Sequence, residues 1–218
     1  MFTTVLVSLN EGFVKTLELF SITLLGALPL GLIICFLSMS RLCLFRYLTR
    51  TVIWIIRGTP LMLQLLVIYY GPGLLFGNNI WGGGSSGRFL AVAIAFIFNY
   101  ACYFAEIYRG GIESMPVGQY EAAEVLGYSK AQTFMRIILP QVVKRILPSV
   151  TNEIITLVKD TSMAFTIAYQ EMFTIGKQIA NSQSSFMPFL IAGVFYYVFN
   201  IAVAGIMSFV EKKLNYYR

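Results

Sequence analysis

Residues 121–141 read EAAEVLGYSKAQTFMRIILPQ. This is the longest segment that is neither apolar enough to sit in lipid nor loose enough to be a linker. Its spacing predicts two short helices with a bend between them. Pro116, just ahead, fits only a first helical turn, because it lacks an N–H and its φ is fixed. Gly127 suits the left-handed residue that closes a helix. Ser129 with Gln132 three residues on forms a capping box, so a second helix starts there. Pro140 is expected to end it. An amphipathic helix–turn–helix flanked by long apolar runs reads as a docking element at a membrane surface.

Composition places those runs in a bilayer. Apolar residues make up 57% of the chain and charged residues 12%, whereas soluble domains carry about a quarter charged. The length of 218 residues suits one domain. The basic excess does not imply nucleic acid, because the positive charges cluster in short loops between apolar runs, the pattern that sets membrane orientation. Cys35, Cys43 and Cys102 lack metal-ligand spacing and read as small, reduced, buried hydrophobes. The absence of histidine removes the commonest proton shuttle and metal ligand. Glu11, Lys15 and Glu18 interrupt the N-terminal stretch, which does not read as a cleavable signal peptide. GNNIWGGGSSG (77–87) lacks the Gly-Lys-Ser/Thr ending of a phosphate loop and reads as a flexible linker.

Working outward, the expected spans are residues 16–39, 51–76, 89–108, 146–169 and 186–210, with a cytoplasmic loop at 109–145. Residues 1–15 are expected along the outer interface. Arg57 is close enough to the start of the second span to snorkel outward. The first loop, the organising loop and the tail (Lys212, Lys213, Arg218) carry eleven basic residues. Lys15, Arg88 and Lys177 are the three on the other side. The imbalance puts the organising loop in the cytoplasm. The fold expected is all-α, polytopic, with five transmembrane helices, the N-terminus outside and the C-terminus cytoplasmic.

Glu121, Ala122 and Ala123, then Gly127, then Ile137, Leu139 and Pro140 fall at the spacing of the EAA loop. The chain thereby resembles the membrane subunits of prokaryotic ABC importers. RGTPLMLQLLVIYYG (57–71) and AEIYRGGIESMPVGQYEAA (105–123) narrow this to similarity with the polar amino acid permease family. The resemblance implies that Glu121, Ala122, Ala123 and Gly127 couple to a separate ABC ATPase, which holds ATP and Mg; this chain carries no cofactor. It also implies an extracytoplasmic substrate-binding protein, a second permease copy (identical or related) and residence in a prokaryotic cytoplasmic membrane.

Substrate chemistry is expected in the fourth span. Glu153 and Asp160 are seven residues apart, nearly two helical turns, so both carboxylates leave from one face. Lys159 is rotated away from Glu153. A carboxylate at mid-membrane costs about 2.5–3.5 kcal/mol on insertion scales. Two on one stripe point either to a water-filled cavity with a cationic cargo or to ion pairs with neighbours such as Arg57. If Asp160 takes an amino acid's ammonium, Glu153 is free for a guanidinium or second ammonium, hence arginine or lysine ahead of glutamine or cystine. Asn152, Thr156, Thr161, Ser162 and Gln64 complete the candidate substrate set, as stripe neighbours or as donors to the cargo carboxylate. Tyr69, Tyr70, Tyr100 and Tyr103 fit packing or interfacial aromatics better than pathway lining. No catalytic or metal set is legible. Two other classes stand against the importer reading. An ion-coupled secondary carrier would use the same acids but lacks a visible inverted repeat; a membrane anchor would leave the intramembrane acids unexplained.

Overall fold

The computed structural model describes residues 2–82 and 84–214. Among these there is no strand. Arg218 of the basic tail, Gly83 of the glycine-rich loop and Met1 lie outside the described residues. The helices are α1 (Phe2–Ser38), α2 (Cys43–Gly58), α3 (Leu61–Phe76), α4 (Ser85–Glu113), α5 (Val117–Val125), α6 (Lys130–Thr133), α7 (Leu139–Asp160), α8 (Met172–Gln183) and α9 (Met187–Leu214). A π-helical stretch, Phe134–Ile138, joins α6 to α7, and a 3-10 stretch, Thr161–Ile167, follows α7. Among the described residues, α1, α4 and α9 are long and apolar enough to cross a membrane, and α2 with α3 forms a bent pair that also qualifies.

α4 is the centre of the molecule. Phe96, Tyr100, Ala101 and Phe104 along it are almost wholly buried, chiefly against α1. The two helices approach closely at Gly31 of α1, where a Cβ would lie 2.9 Å from that of Phe104. α8 packs across α1 and α9. Along α9, apolar Leu190, Val194, Ile201 and Phe209 are exposed, the expected surface for a lipid-facing helix.

Several expectations change. Residues 2–15 are not a separate interfacial segment but the first turns of α1. The stretch 51–76 is not one straight span: it bends by 108° between α2 and α3. Thr59 and Pro60 are extended there, because a residue before proline is pushed out of the α region and proline cannot donate backward. Gln64 clamps the corner, its Nε2 reaching the carbonyls of Ile56 at 2.7 Å and Thr59 at 3.0 Å, two acceptors that the end of α2 leaves orphaned. Cys43 is exposed rather than buried. The glycine-rich loop is anchored rather than loose, since Trp81 donates its Nε1–H to Ile68 O at 2.8 Å.

Pro140 does not end the second helix of the organising loop. The chain continues through the π-helical stretch, in which Leu139 N–H bonds back to Phe134 O, directly into α7 with the proline in its first turn. A proline at that place has no N–H to lose, and the wider turn before it accommodates the ring.

Neighbouring glycines on α4 give the packing a test. A Cβ on Gly111 would sit 2.2 Å from Ile146 Cγ2 of α7, whereas Gly110 faces nothing within 4 Å. Gly111→Ala is expected to cost about 1–3 kcal/mol, read as a lowered thermal midpoint of the purified protein, and Gly110→Ala to be neutral or mildly stabilising. Equal behaviour of the two would contradict this α4–α7 contact.

Candidate functional site

α7 carries both expected acids. Its buried residues Val150, Ile154, Leu157 and Val158 set its orientation, leaving Glu153 and Asp160 half-buried. Asp160 Oδ2 accepts a hydrogen bond of 2.7 Å from the Tyr100 hydroxyl of α4. Tyr100 thus bonds one of the candidate acids as well as packing in the core. Among the described residues the Glu153 carboxylate has no hydrogen bond and no ion pair within 4 Å; it lies in the field of Arg57 and Asp160. Lys159 is exposed. One turn before Glu153, Ser149 lines a cavity of about 280 Å³ with Glu106, Gly110, Gly111 and Arg145, so open space adjoins this side of α7.

The hydroxyls around the acids are turned inward on their own helices. Thr156 donates to Asn152 O at 2.9 Å, Thr161 to Val158 O at 2.8 Å and Ser162 to Lys159 O at 2.8 Å. Each keeps lone pairs but commits its proton. Thr161 is fully buried, and Asn152 is exposed. Thr161 and Ser162 lie in the 3-10 stretch beyond α7. Gln64 sits apart from this group: besides the elbow contacts, its Oε1 accepts from Asn99 of α4 at 2.9 Å. Among the pathway candidates, Tyr69 accepts a 3.3 Å bond from Arg88 Nε, and the Tyr103 ring lies under the Arg57 guanidinium at 5.0 Å.

Arg57, expected to snorkel, has a partner on α4. It sits at the end of α2, 3.6 Å from Glu106 Oε2. Arg109 holds the same carboxylate by two bonds of 3.0 and 2.6 Å and Glu113 by one of 2.6 Å. Arg50 completes the row, 4.0 Å from Glu113. The Arg109–Glu113 pairing is the local contact its i,i+4 spacing leads one to expect; the extension through Glu106 to α2 has no local signal in the sequence.

The organising loop has the anatomy its residues specify. Pro116 is the N-cap of α5, Gly127 takes a left-handed φ of 78°, and the Ser129–Gln132 capping box is complete. Gln119 and Gln141 exchange hydrogen bonds of 2.9 Å, tying α5 to α7. Glu121 and Ala122 are exposed, whereas Ala123 is buried within the chain and so packs inward. Around them Val117, Val125, Leu126 and Met135 are exposed, an apolar rim beside the acid.

One buried acid escaped the sequence reading. Glu171, which falls between the fourth and fifth expected spans, is fully buried as the N-cap of α8. It accepts from the backbone of Phe173 and Thr174, from the Thr174 hydroxyl and from Tyr196 at 2.6–3.0 Å. Four donors on one carboxylate make it a brace. Glutamate is not among the favoured N-caps, and Tyr196 is remote in sequence, so no local signal marks it.

The sequence profile of the family described as binding-protein-dependent transport system inner membrane component matches residues 27–216. The octopine transport system permease protein of Rhizobium radiobacter is 37% identical over 94% of this chain and 85% of its own length. The arginine transport system permease protein of Bacillus subtilis is 32% identical over 94% of this chain and 91% of its own. A solved structure described as an amino acid ABC transporter with histidines superposes with a TM-score of 0.88 at 30% identity, covering 97% of this chain and 96% of that one. This chain belongs to the binding-protein-dependent inner membrane component family, and the resemblance to ABC importer permeases holds. It is a transport subunit rather than an enzyme, with ATP hydrolysis on a separate chain.

Glu171→Ala removes an N-cap and strands buried donors, so it is expected to lose about 2 kcal/mol of stability, measured as a lower thermal midpoint of the purified chain. An unchanged midpoint would contradict its role as a brace.

Proposed function

We propose that this chain is the membrane subunit of an ATP-driven importer for basic amino acids of the arginine and lysine type. The observation that carries the reading is Glu153, a half-buried carboxylate on α7 with no bonded partner among the described residues, one turn from a cavity-lining serine. An unpaired charge inside a membrane helix is costly, and a cationic cargo offsets that cost. Asp160, steadied by Tyr100, is assigned the cargo ammonium. Asn152, Thr156, Thr161 and Ser162 are neighbours whose oxygens accept; Gln64 is a more distant member, acting through the elbow.

The membrane arrangement proposed is five crossings with the N-terminus outside, the bent pair α2–α3 serving as one, in a prokaryotic cytoplasmic membrane. Glu121, Ala122 and the apolar rim dock on an ABC ATPase that holds ATP and Mg; Ala123 and Gly127 shape that surface from within. An extracytoplasmic binding protein delivers cargo, and a second permease copy closes the pathway. The relatives' names span octopine, nopaline, arginine and glutamine, so a neutral polar cargo is the reading to be tested against. An ion-coupled carrier is disfavoured by the family itself.

In vesicles holding the complete transporter, Glu153→Gln is expected to lower uptake of arginine and lysine by on the order of tenfold or more, the size of a lost charge-assisted contact, and to spare glutamine. Equal loss for all three would defeat the assignment. Gly127→Val forces a branched side chain into a left-handed conformation at about 1–2 kcal/mol and is expected to weaken co-purification of the ATPase chain; undiminished recovery of the complex would count against the docking role.

A further inference from the structure

The row of charges between α2 and α4 has a register that local stabilisation does not require. Arg50 and Arg57 are seven residues apart on α2, and Glu106 and Glu113 are seven apart on α4. The first arginine pairs with the second glutamate and the second with the first, so the helices face each other as an antiparallel ladder. Arg109 stands between the rungs and bonds to both glutamates. Each carboxylate is therefore shared between two guanidiniums.

The ladder's two ends meet different machinery. Glu113 is the last residue of α4 and only Ser114 to Pro116 separate it from α5 and the EAA loop. Arg57 is one residue from the end of α2, beside the Thr59–Pro60 corner that Gln64 clamps, and its partner Glu106 lines the same cavity as Ser149, one turn before Glu153. The rungs are also unequal. Arg109 holds Glu106 at 2.6 Å while Arg57 stands off at 3.6 Å, and Arg50 stands off from Glu113 at 4.0 Å. Both cross-helix rungs are loose and partly exposed, and such pairs contribute little stability. That weakness makes the ladder a poor brace and a readily remade contact.

We propose that this ladder couples the EAA loop to the cargo site, with Arg57 and Glu106 as positioning residues that relay charge beside Glu153 to the end of α4. The proposal rests on the reading of Glu153 as the cargo carboxylate. A cationic cargo at Glu153 repels Arg57 toward Glu106. Glu106 then releases part of its hold on Arg109, which turns to Glu113 at the threshold of the loop. The same linkage runs backward, because a coupling free energy is reciprocal: displacement of the loop by the ATPase pulls the α2 end of the ladder and, through the clamped corner, α3.

The test uses the full transporter, with its ATPase chain and binding protein, in vesicles, and reads arginine taken up per ATP hydrolysed. Arg50→Gln and Glu113→Gln are each expected to lower that ratio about two- to fivefold, the range set by exposed ion pairs, with the half-saturating arginine concentration unchanged. The double variant is expected to fall no further than the worse single one, and Arg50→Lys to retain the wild-type ratio. An unchanged ratio in the single variants, or additive losses in the double, overturns the ladder. Uncoupling by these variants alongside a Glu153→Gln variant that fails to discriminate among cargoes supports the ladder and sinks the cargo-site reading instead. Recovery of each variant with its ATPase chain separates uncoupling from failed assembly.

Discussion

In hydrocarbon there is no water to satisfy a polar group, so each must find its partner inside the protein. That constraint accounts for much of the bonding in this chain, although Thr23 Oγ1 on α1 and Asn200 Oδ1 on α9 are buried without a hydrogen-bond partner among the described residues. Thr16 donates to Gly12 O and accepts from the Met172 backbone, fastening α8 to α1. Gln64 answers the carbonyls stranded at the α2–α3 corner and reaches Asn99 on α4. Glu171 gathers four donors. Asp160 is taken by Tyr100. Of the two carboxylates on α7, Glu153 alone is left without a bonded partner among the described residues, and the functional reading grows from that exception.

Mechanics follow from continuity. From Lys130 through the π-helical stretch to Asp160 the chain is helical without a break. On the proposed reading, a push on the EAA loop therefore travels along one stiff element to both acids. A π turn is a frequent companion of functional sites, and here it lets Pro140 sit inside the element rather than interrupt it. Gln119 and Gln141 keep α5 in step with the start of that element, while the α2–α4 charges supply a second, softer connection.

What was legible in the sequence was local. Gly127, Ser129 and Gln132 specify a turn and a cap through their own backbone chemistry, and each appears where its chemistry requires. The long apolar helices were equally plain, because burial in lipid leaves an unmistakable composition. Pro140 misled for a physical reason: its usual helix-ending effect fails when it falls in a first turn. The α2–α3 bend was available in Thr59–Pro60, since a residue before proline resists the helix, but the apolar run around it hid the signal. Partners distant in sequence had no such signal. Tyr100 to Asp160 spans 60 residues, and the attachment of Arg57 to Glu106 depends on how α2 lies against α4. The hydroxyls of Thr161 and Ser162 looked free until the backbone showed which carbonyls they serve.

The central claim is that the unpartnered acid on α7 selects a positively charged cargo within the permease itself. Equilibrium binding of labelled arginine to the purified permease–ATPase complex, with no binding protein present, addresses it most directly. The account predicts saturable binding that lysine displaces and glutamine does not. Displacement by glutamine as effective as by lysine, or no specific arginine binding at all, would contradict it.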